Sequence, residues 1–203
     1  MHRPGKIVCV GRNYVEHARE LGNELPKEPL IFFKPPSSVI ASGESIVLPA
    51  ASSRVEYEGE IGVVVGRRLR KAGEQEAADA VVGVCAVNDV TARDLQKSDG
   101  QWTRAKGFDS FAPVGPVAEG RFDLGSLAVV TRVNGVVRQR GVSAQMAFSI
   151  PFLLAWISRV MTLEPGDLVA TGTPAGVGPL AAGDDVEVEV VGASVVRNPV
   201  VAE

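Results

Sequence analysis

Short Val- and Ile-rich runs, cut by 22 glycines and 13 prolines, dominate this chain of 203 residues. β-Branched side chains favour the pleated surface of a strand, and glycine and proline punctuate it, so strands should outnumber helices. The spacing predicts strands at 7–10, 30–34, 45–48, 57–65, 81–88, 112–118, 128–133, 136–140, 168–171, 185–191 and 194–201. Asn134-Gly135, between two of them, is type I′ hairpin chemistry, because both turn positions need positive φ. Helices are few. Asn13, with Glu16 three residues on, caps one that stops at Gly22. Others are expected at 74–80 and 91–97, and Ser149 caps a longer one through Met161, with Pro151 in its first turn. The expected fold class is α+β and strand-rich, with residues 1–203 forming a single domain.

Composition narrows the function classes. A net charge of −3 and a pI near 5.5 argue against a nucleic-acid or anionic-membrane partner, which would want a basic face. The longest uninterrupted apolar run, Ile150 to Ile157, is far short of the ~20 residues a membrane span needs. The segment leading into Ile7-Val-Cys-Val10 is too short for a signal peptide. Cys9 and Cys85 lie in apolar runs, where a thiol behaves as a small hydrophobe. The expectation is a reduced, cytoplasmic protein.

Chemistry gathers around acids at the ends of apolar runs. Glu58 and Glu60 head Ile61-Gly-Val-Val-Val65, and in a strand they share a face. Side by side they repel, so one would keep its proton unless a cation compensates. Asp89 closes the run Val81 to Asn88, and three carboxylates without His or Cys beside them point to an oxygen-only site for a hard divalent cation. Taken alone, a Glu-x-Glu pair is common and more often lines the wet face of a half-exposed strand. His17 and Glu20 stand at i, i+3, either as an ordinary surface pair or as an imidazole base oriented by a carboxylate. Arg93 and Gln96 share a helix face after Asp89, as carboxylate-binding donors or as a solvated first turn. Trp102 to Pro116 has neither a helix nor a strand period and reads as a structured loop. In it, Lys106 would supply charge to a developing oxyanion or simply meet solvent. Thr171-Gly-Thr173-Pro-Ala-Gly-Val-Gly178 lacks the lysine of a phosphate-binding loop; its N–H groups and the Thr173 hydroxyl suit a small carboxylate.

The order of these segments resembles the fumarylacetoacetate hydrolase family along almost the whole chain. The matching stretches are Val8-Cys-Val-Gly-Arg-Asn-Tyr-Val-Glu-His17, Phe32-Phe-Lys-Pro35, Tyr57-Glu-Gly-Glu-Ile61, Asn88-Asp-Val-Thr-Ala-Arg-Asp94, Lys106-Gly-Phe-Asp109 and Thr171 to Gly178. The resemblance implies a large mixed, curled β-structure with short helices, usually homodimeric. It implies Mg²⁺ or Mn²⁺ held by Glu58, Glu60 and Asp89, with His17 and Glu20 doing acid–base work on a mobile lid over 11–25. It places Lys106 with the catalytic groups, puts Arg93, Gln96 and Thr173 on the substrate, and associates Arg12 and Lys34 with the pocket. Gly59 departs from the family, where a side chain is commoner, and is expected to loosen the strand. Fumarylacetoacetate itself is not the expected substrate, since the chain is shorter than the larger members.

The implied activity is metal-dependent cleavage of a C–C bond in a small 2-oxo acid, by hydrolysis of acylpyruvates or decarboxylation of oxaloacetate through an enolate. Isomerisation, decarboxylation or hydration of unsaturated 2-oxo or 2-hydroxy dienoates from aromatic-ring degradation is the alternative on the same scaffold. A dicarboxylate-binding protein without turnover is the non-enzymatic one.

Overall fold

The computed structural model describes residues 4–16 and 26–203. A six-stranded sheet runs in the order Ala118–Glu119, Val81–Asn88, Gly59–Val65, Leu168–Ala170, Ile7–Gly11, Leu30–Lys34. Only Ile7–Gly11 and Leu168–Ala170 are parallel within it. A five-stranded sheet follows the order Val136–Val142, Ala128–Val133, Asp185–Val190, Ser194–Ala202, Ile46–Leu48. Small sheets join Gly178–Pro179, Val55–Tyr57 and Thr91–Ala92, and Val39–Ile40 with Ala112–Pro113.

The central strands are buried on both faces, which is why their sequences are apolar almost without alternation. Val8 and Val10, with Ile61, Val63 and Val65, pack on Val129, Val188 and Val196 of the five-stranded sheet and on the helix Ile150–Val160. Ile7, Cys9, Val64, Cys85 and Val87 pack on the opposite face against Val39, Ala112 and Val114. Truncating Ile61 or Leu153 to Ala would cost about 2–5 kcal/mol, as for other large buried aliphatics. Among the described residues no helix is long and apolar enough to cross a membrane.

Most predicted elements form where expected. Asn134 and Gly135 adopt φ of 52° and 76°, as a type I′ turn needs, and the Ser149 hydroxyl accepts from Phe152 N–H. Four expectations change. The run 57–65 divides at Glu58, with Val55–Tyr57 entering a small sheet and Gly59–Val65 the large one. Within 112–118 only the ends are strand, with Val114 in an isolated bridge to Val87, and Pro116 between them lacks the N–H that a ladder needs. The loop expected around Lys106 contains a helix, Thr103–Gly107, too short to leave a period in the sequence. Asn13 is a brace rather than a cap: its amide donates to Phe148 O and Thr171 O and accepts from Phe148 N–H. The remainder of the helix expected after it, and residues 17–25 of the expected lid, lie outside the described residues.

Candidate metal centre

The acid cluster is built where the chain passes between sheets. Glu58 occupies the break between Val55–Tyr57 and Gly59–Val65, with its N–H held by the Asn88 side chain at 3.0 Å. Asp89 directly follows the strand Val81–Asn88 and donates its N–H to Glu58 O at 2.8 Å. Glu60 lies one residue into its own strand, opposite Val87. Each of Glu58, Glu60 and Asp89 offers a carboxylate oxygen within 4.8 Å of the other two, and none is more than 5% exposed. Burial, then Asp89 and Glu58, push the Glu60 carboxyl well above the usual carboxylate range. Among the described residues its hydrogen-bond donor is Gly172 N–H at 2.8 Å, and the nearby Lys106 charge offsets the rise only in part. Three buried oxygen donors, one of them without a direct bond to a cationic side chain among the described residues, fit a hard divalent cation.

Three cations hold the other two acids. Lys106 Nζ donates to Glu58 Oε2 at 2.7 Å and to Asp89 Oδ2 at 2.6 Å, and lies 4.9 Å from the centre of the Phe32 ring. Lys34 Nζ donates to Asp89 Oδ1 at 2.6 Å and Val90 O at 2.9 Å. Arg93 bridges Glu58 and Glu56 at 2.5 and 2.7 Å and donates to Gln96 Oε1 at 2.6 Å. Burial opposes the charge on Lys106, but Asp89 and Glu58 outweigh it and raise its pKa. For Lys34 burial wins over Asp89 and the pKa falls.

Above the acids opens a cavity of about 330 Å³. Glu58, Glu60 and Asp89 line it together with Arg12, Arg93, Gln96, Lys106 and Thr173. Lys34 is not among its lining residues; it sits beneath, spent on Asp89 and Val90. The Thr173 hydroxyl is also committed, donating to Gly59 O at 2.9 Å and accepting from Gln139 Nε2 at 2.8 Å. His17 and Glu20 lie outside the described residues. Gly59 does not loosen its strand: it is buried, and its N–H donates to Gln139 Oε1 at 3.0 Å. Sequence reasoning passed over Glu56, Gln139, Lys97 and the pocket role of Trp102. Glu56 carried a signal, since Glu56, Glu58 and Glu60 alternate, but the other three are joined to the site only by tertiary pairing.

Residues 6–201 match the family profile described as fumarylacetoacetate (FAA) hydrolase C-terminal. A mitochondrial oxaloacetate decarboxylase of Dictyostelium discoideum is 42% identical over 194 residues, covering 92% of this chain and 89% of that one. A mitochondrial oxaloacetate tautomerase of Arabidopsis thaliana is 42% identical over 198 residues, covering 95% and 89%. The crystal structure of 2-hydroxyhepta-2,4-diene-1,7-dioate isomerase from Mycobacterium marinum superposes with a TM-score of 0.92 at 44% identity, over 100% of this chain and 76% of that one.

Proposed function

The chain belongs to the fumarylacetoacetate hydrolase family, and from that premise we propose that it is a divalent-metal-dependent enzyme cleaving a C–C bond of a small 2-oxo acid. Oxaloacetate decarboxylation and acylpyruvate hydrolysis are its two reactions. The supporting observation is the buried triad Glu58, Glu60 and Asp89 at the floor of a pocket walled by cations. Mg²⁺ or Mn²⁺ on these carboxylates would supply Lewis-acid polarisation of the 2-oxo group, an effect worth several kcal/mol.

The protein's own residues do the rest. Lys34 and Lys106 fix Asp89 from both of its oxygens, and Lys106 and Arg93 do the same for Glu58. Two of the three Lys106 N–H groups are thereby used, leaving one for an oxyanion developing on the substrate. Arg93 orients Gln96 by occupying its Oε1, which turns the amide nitrogen into a donor for a substrate oxygen. In hydrolysis His17 takes a proton from the attacking water and Glu20 orients the ring, a contribution of ~10²–10⁴-fold. Decarboxylation needs no water, so it depends less on His17.

The similarity to the Mycobacterium marinum enzyme favours a second reading, isomerisation of an unsaturated 2-hydroxy or 2-oxo dioate, which asks for the same proton handling beside a 2-oxo group. Turnover of oxaloacetate, acylpyruvates of increasing length and dienoates, with metal removed and restored, separates the readings. Metal-dependent turnover of the first two sets supports the C–C cleavage reading, and turnover confined to dienoates overturns it.

A further inference from the structure

A dense cluster of positive charge follows the far end of the strand Gly59–Val65. Four of the five residues 67–71 are cationic, Arg67, Arg68, Arg70 and Lys71, in a chain whose net charge is −3. All four are exposed, and so is Arg159, which joins them from the last turn of the helix Ile150–Val160. Val65 stands five residues beyond Glu60, roughly 17 Å at the rise of a strand, so the cluster is remote from the acid triad.

The backbone beneath these side chains is fixed. Leu69 and Leu163 exchange two backbone hydrogen bonds, at 2.9 and 3.0 Å. Lys71 N–H donates to Ser158 O at 2.8 Å, and Ala72 N–H to Ser158 Oγ at 2.9 Å. Leu69 and Ala72 are buried in the core, which leaves Arg70 and Lys71 between them turned to solvent. Lys71 adopts φ of 54°, a left-handed conformation uncommon for a residue with a β-carbon.

The fold itself uses little of this charge. Arg68 approaches Glu164 at 3.4 Å with both side chains more than half exposed, and Arg67 donates to Glu76 O at 2.9 Å. Arg70, Lys71 and Arg159 make no side-chain hydrogen bond or ion pair among the described residues. Like charges crowded on a surface repel one another, and one exposed ion pair offsets little of that.

Two neighbours narrow what the cluster fits. Val160 follows Arg159 in the segment paired with 69–72 and is 56% exposed, an apolar contact among the cations. On the other side the helix Glu74–Asp79 presents Glu74, Glu76 and Asp79 to solvent. Nucleic acid and anionic membranes offer unbroken negative charge, which these acids would repel. A protein surface carries both signs and apolar side chains at set places, and complementary patches steer proteins together.

We propose that Arg67, Arg68, Arg70, Lys71 and Arg159 form, around Val160, a docking surface for an acidic segment of a partner protein. Guanidinium suits such a segment because it takes a carboxylate through two parallel hydrogen bonds. The fixed backbone lowers the ordering cost of binding. The surface is separate from the pocket and does not depend on the reaction carried out there.

The test is fluorescence anisotropy of a short labelled peptide of glutamates around a central Leu-Phe pair, titrated with the full chain. The same peptide with Gln for Glu, a DNA duplex and phosphatidylserine vesicles are compared with it. The wild type should bind the glutamate peptide at least about tenfold tighter than the glutamine one, an advantage that shrinks in high salt. Arg70→Glu combined with Lys71→Glu should erase the advantage, and Val160→Ser should weaken binding by about threefold. Thermal melts should match the wild type, because all three residues are exposed. No preference for the glutamate peptide, or a preference that survives the double charge reversal, overturns the proposal. Tighter binding of the duplex or the vesicles than of the peptide, lost on the same reversal, gives the cluster to nucleic acid or membrane and overturns it as well.

Discussion

Gly59→Ala puts the geometry between Glu58 and Glu60 under direct strain. A β-carbon there would lie 1.9 Å from Thr131 Oγ1, 3.2 Å from Thr131 Cβ and 3.3 Å from Gln139 Oε1. Ordinary contacts are near 3.5–4.0 Å, so the threonine hydroxyl would have to move by about 1.5 Å or more. The strand cannot easily retreat. Gly59 N–H is bonded to Gln139 and Gly59 O to Thr173, and Thr131 is itself buried in the adjoining sheet. Overpacking of this kind costs about 1–3 kcal/mol, or roughly 2–12 °C in Tm for a chain of this size. Among the described residues Thr131 Oγ1 has no hydrogen-bond partner, so Thr131→Ala removes the obstacle without breaking a bond. In a thermal-melt cycle of wild type, both single variants and the double, the double should recover most of the Gly59→Ala loss, with a coupling of about 1–2 kcal/mol. Because Gly59 separates Glu58 from Glu60, the stabilisation conferred by Mg²⁺ should also fall in the single variant and return in the double. A Gly59→Ala protein within about 0.5 kcal/mol of wild type, or simple additivity in the cycle, would refute the close-approach account.

His17→Ala should cripple acylpyruvate hydrolysis far more than oxaloacetate decarboxylation, by ~10²-fold or more against a small effect; equal losses in steady-state assays would sink the general-base role. Lys34→Met removes one member of a fully buried pair with Asp89, and denaturant unfolding should show a loss of about 3–5 kcal/mol. A loss under 1 kcal/mol would mean that Lys106 alone satisfies Asp89. Burial pushes the Cys85 thiol up to about 12 and Cys9 well above its ordinary value. Neither should react with a thiol reagent at pH 8 until the chain is unfolded. Stability should decline as pH rises above about 9, where only the unfolded chain's thiols ionise. Rapid labelling of the native protein would contradict the packing around both cysteines.

Much of this was legible in residue order. The strands at 7–10, 30–34 and 81–88 follow from apolar β-branched runs, and the hairpin at Asn134-Gly135 from the φ its turn requires. The triad was suggested by acids at the ends of apolar runs, and the resemblance of six ordered segments to a known family made the suggestion an expectation, because Glu-x-Glu alone also fits a wet strand face. What was hidden depended on distant pairing. Arg93 read as a substrate clamp because the sequence does not reveal that Glu56 and Glu58 occupy its guanidinium. Lys106 read as a free charge for the same reason, and Lys34, expected at the pocket, is instead spent on Asp89 and Val90. Thr173 offered a hydroxyl that Gln139, 34 residues away, already uses. Asn13 had every local mark of a cap, and its partners Phe148 and Thr171 could be found only after the sheet had closed.

Under the proposed function, Glu58, Glu60 and Asp89 together hold a divalent cation on which 2-oxo-acid turnover depends. The direct measurement is oxaloacetate turnover by chelator-treated enzyme as Mg²⁺ or Mn²⁺ is restored, in the wild type and in Glu60→Gln, with thermal melts of each preparation. The wild type should show saturable recovery of activity and a metal-dependent rise in Tm, and Glu60→Gln neither. Full activity after chelation, or equal metal activation of both proteins, would contradict it.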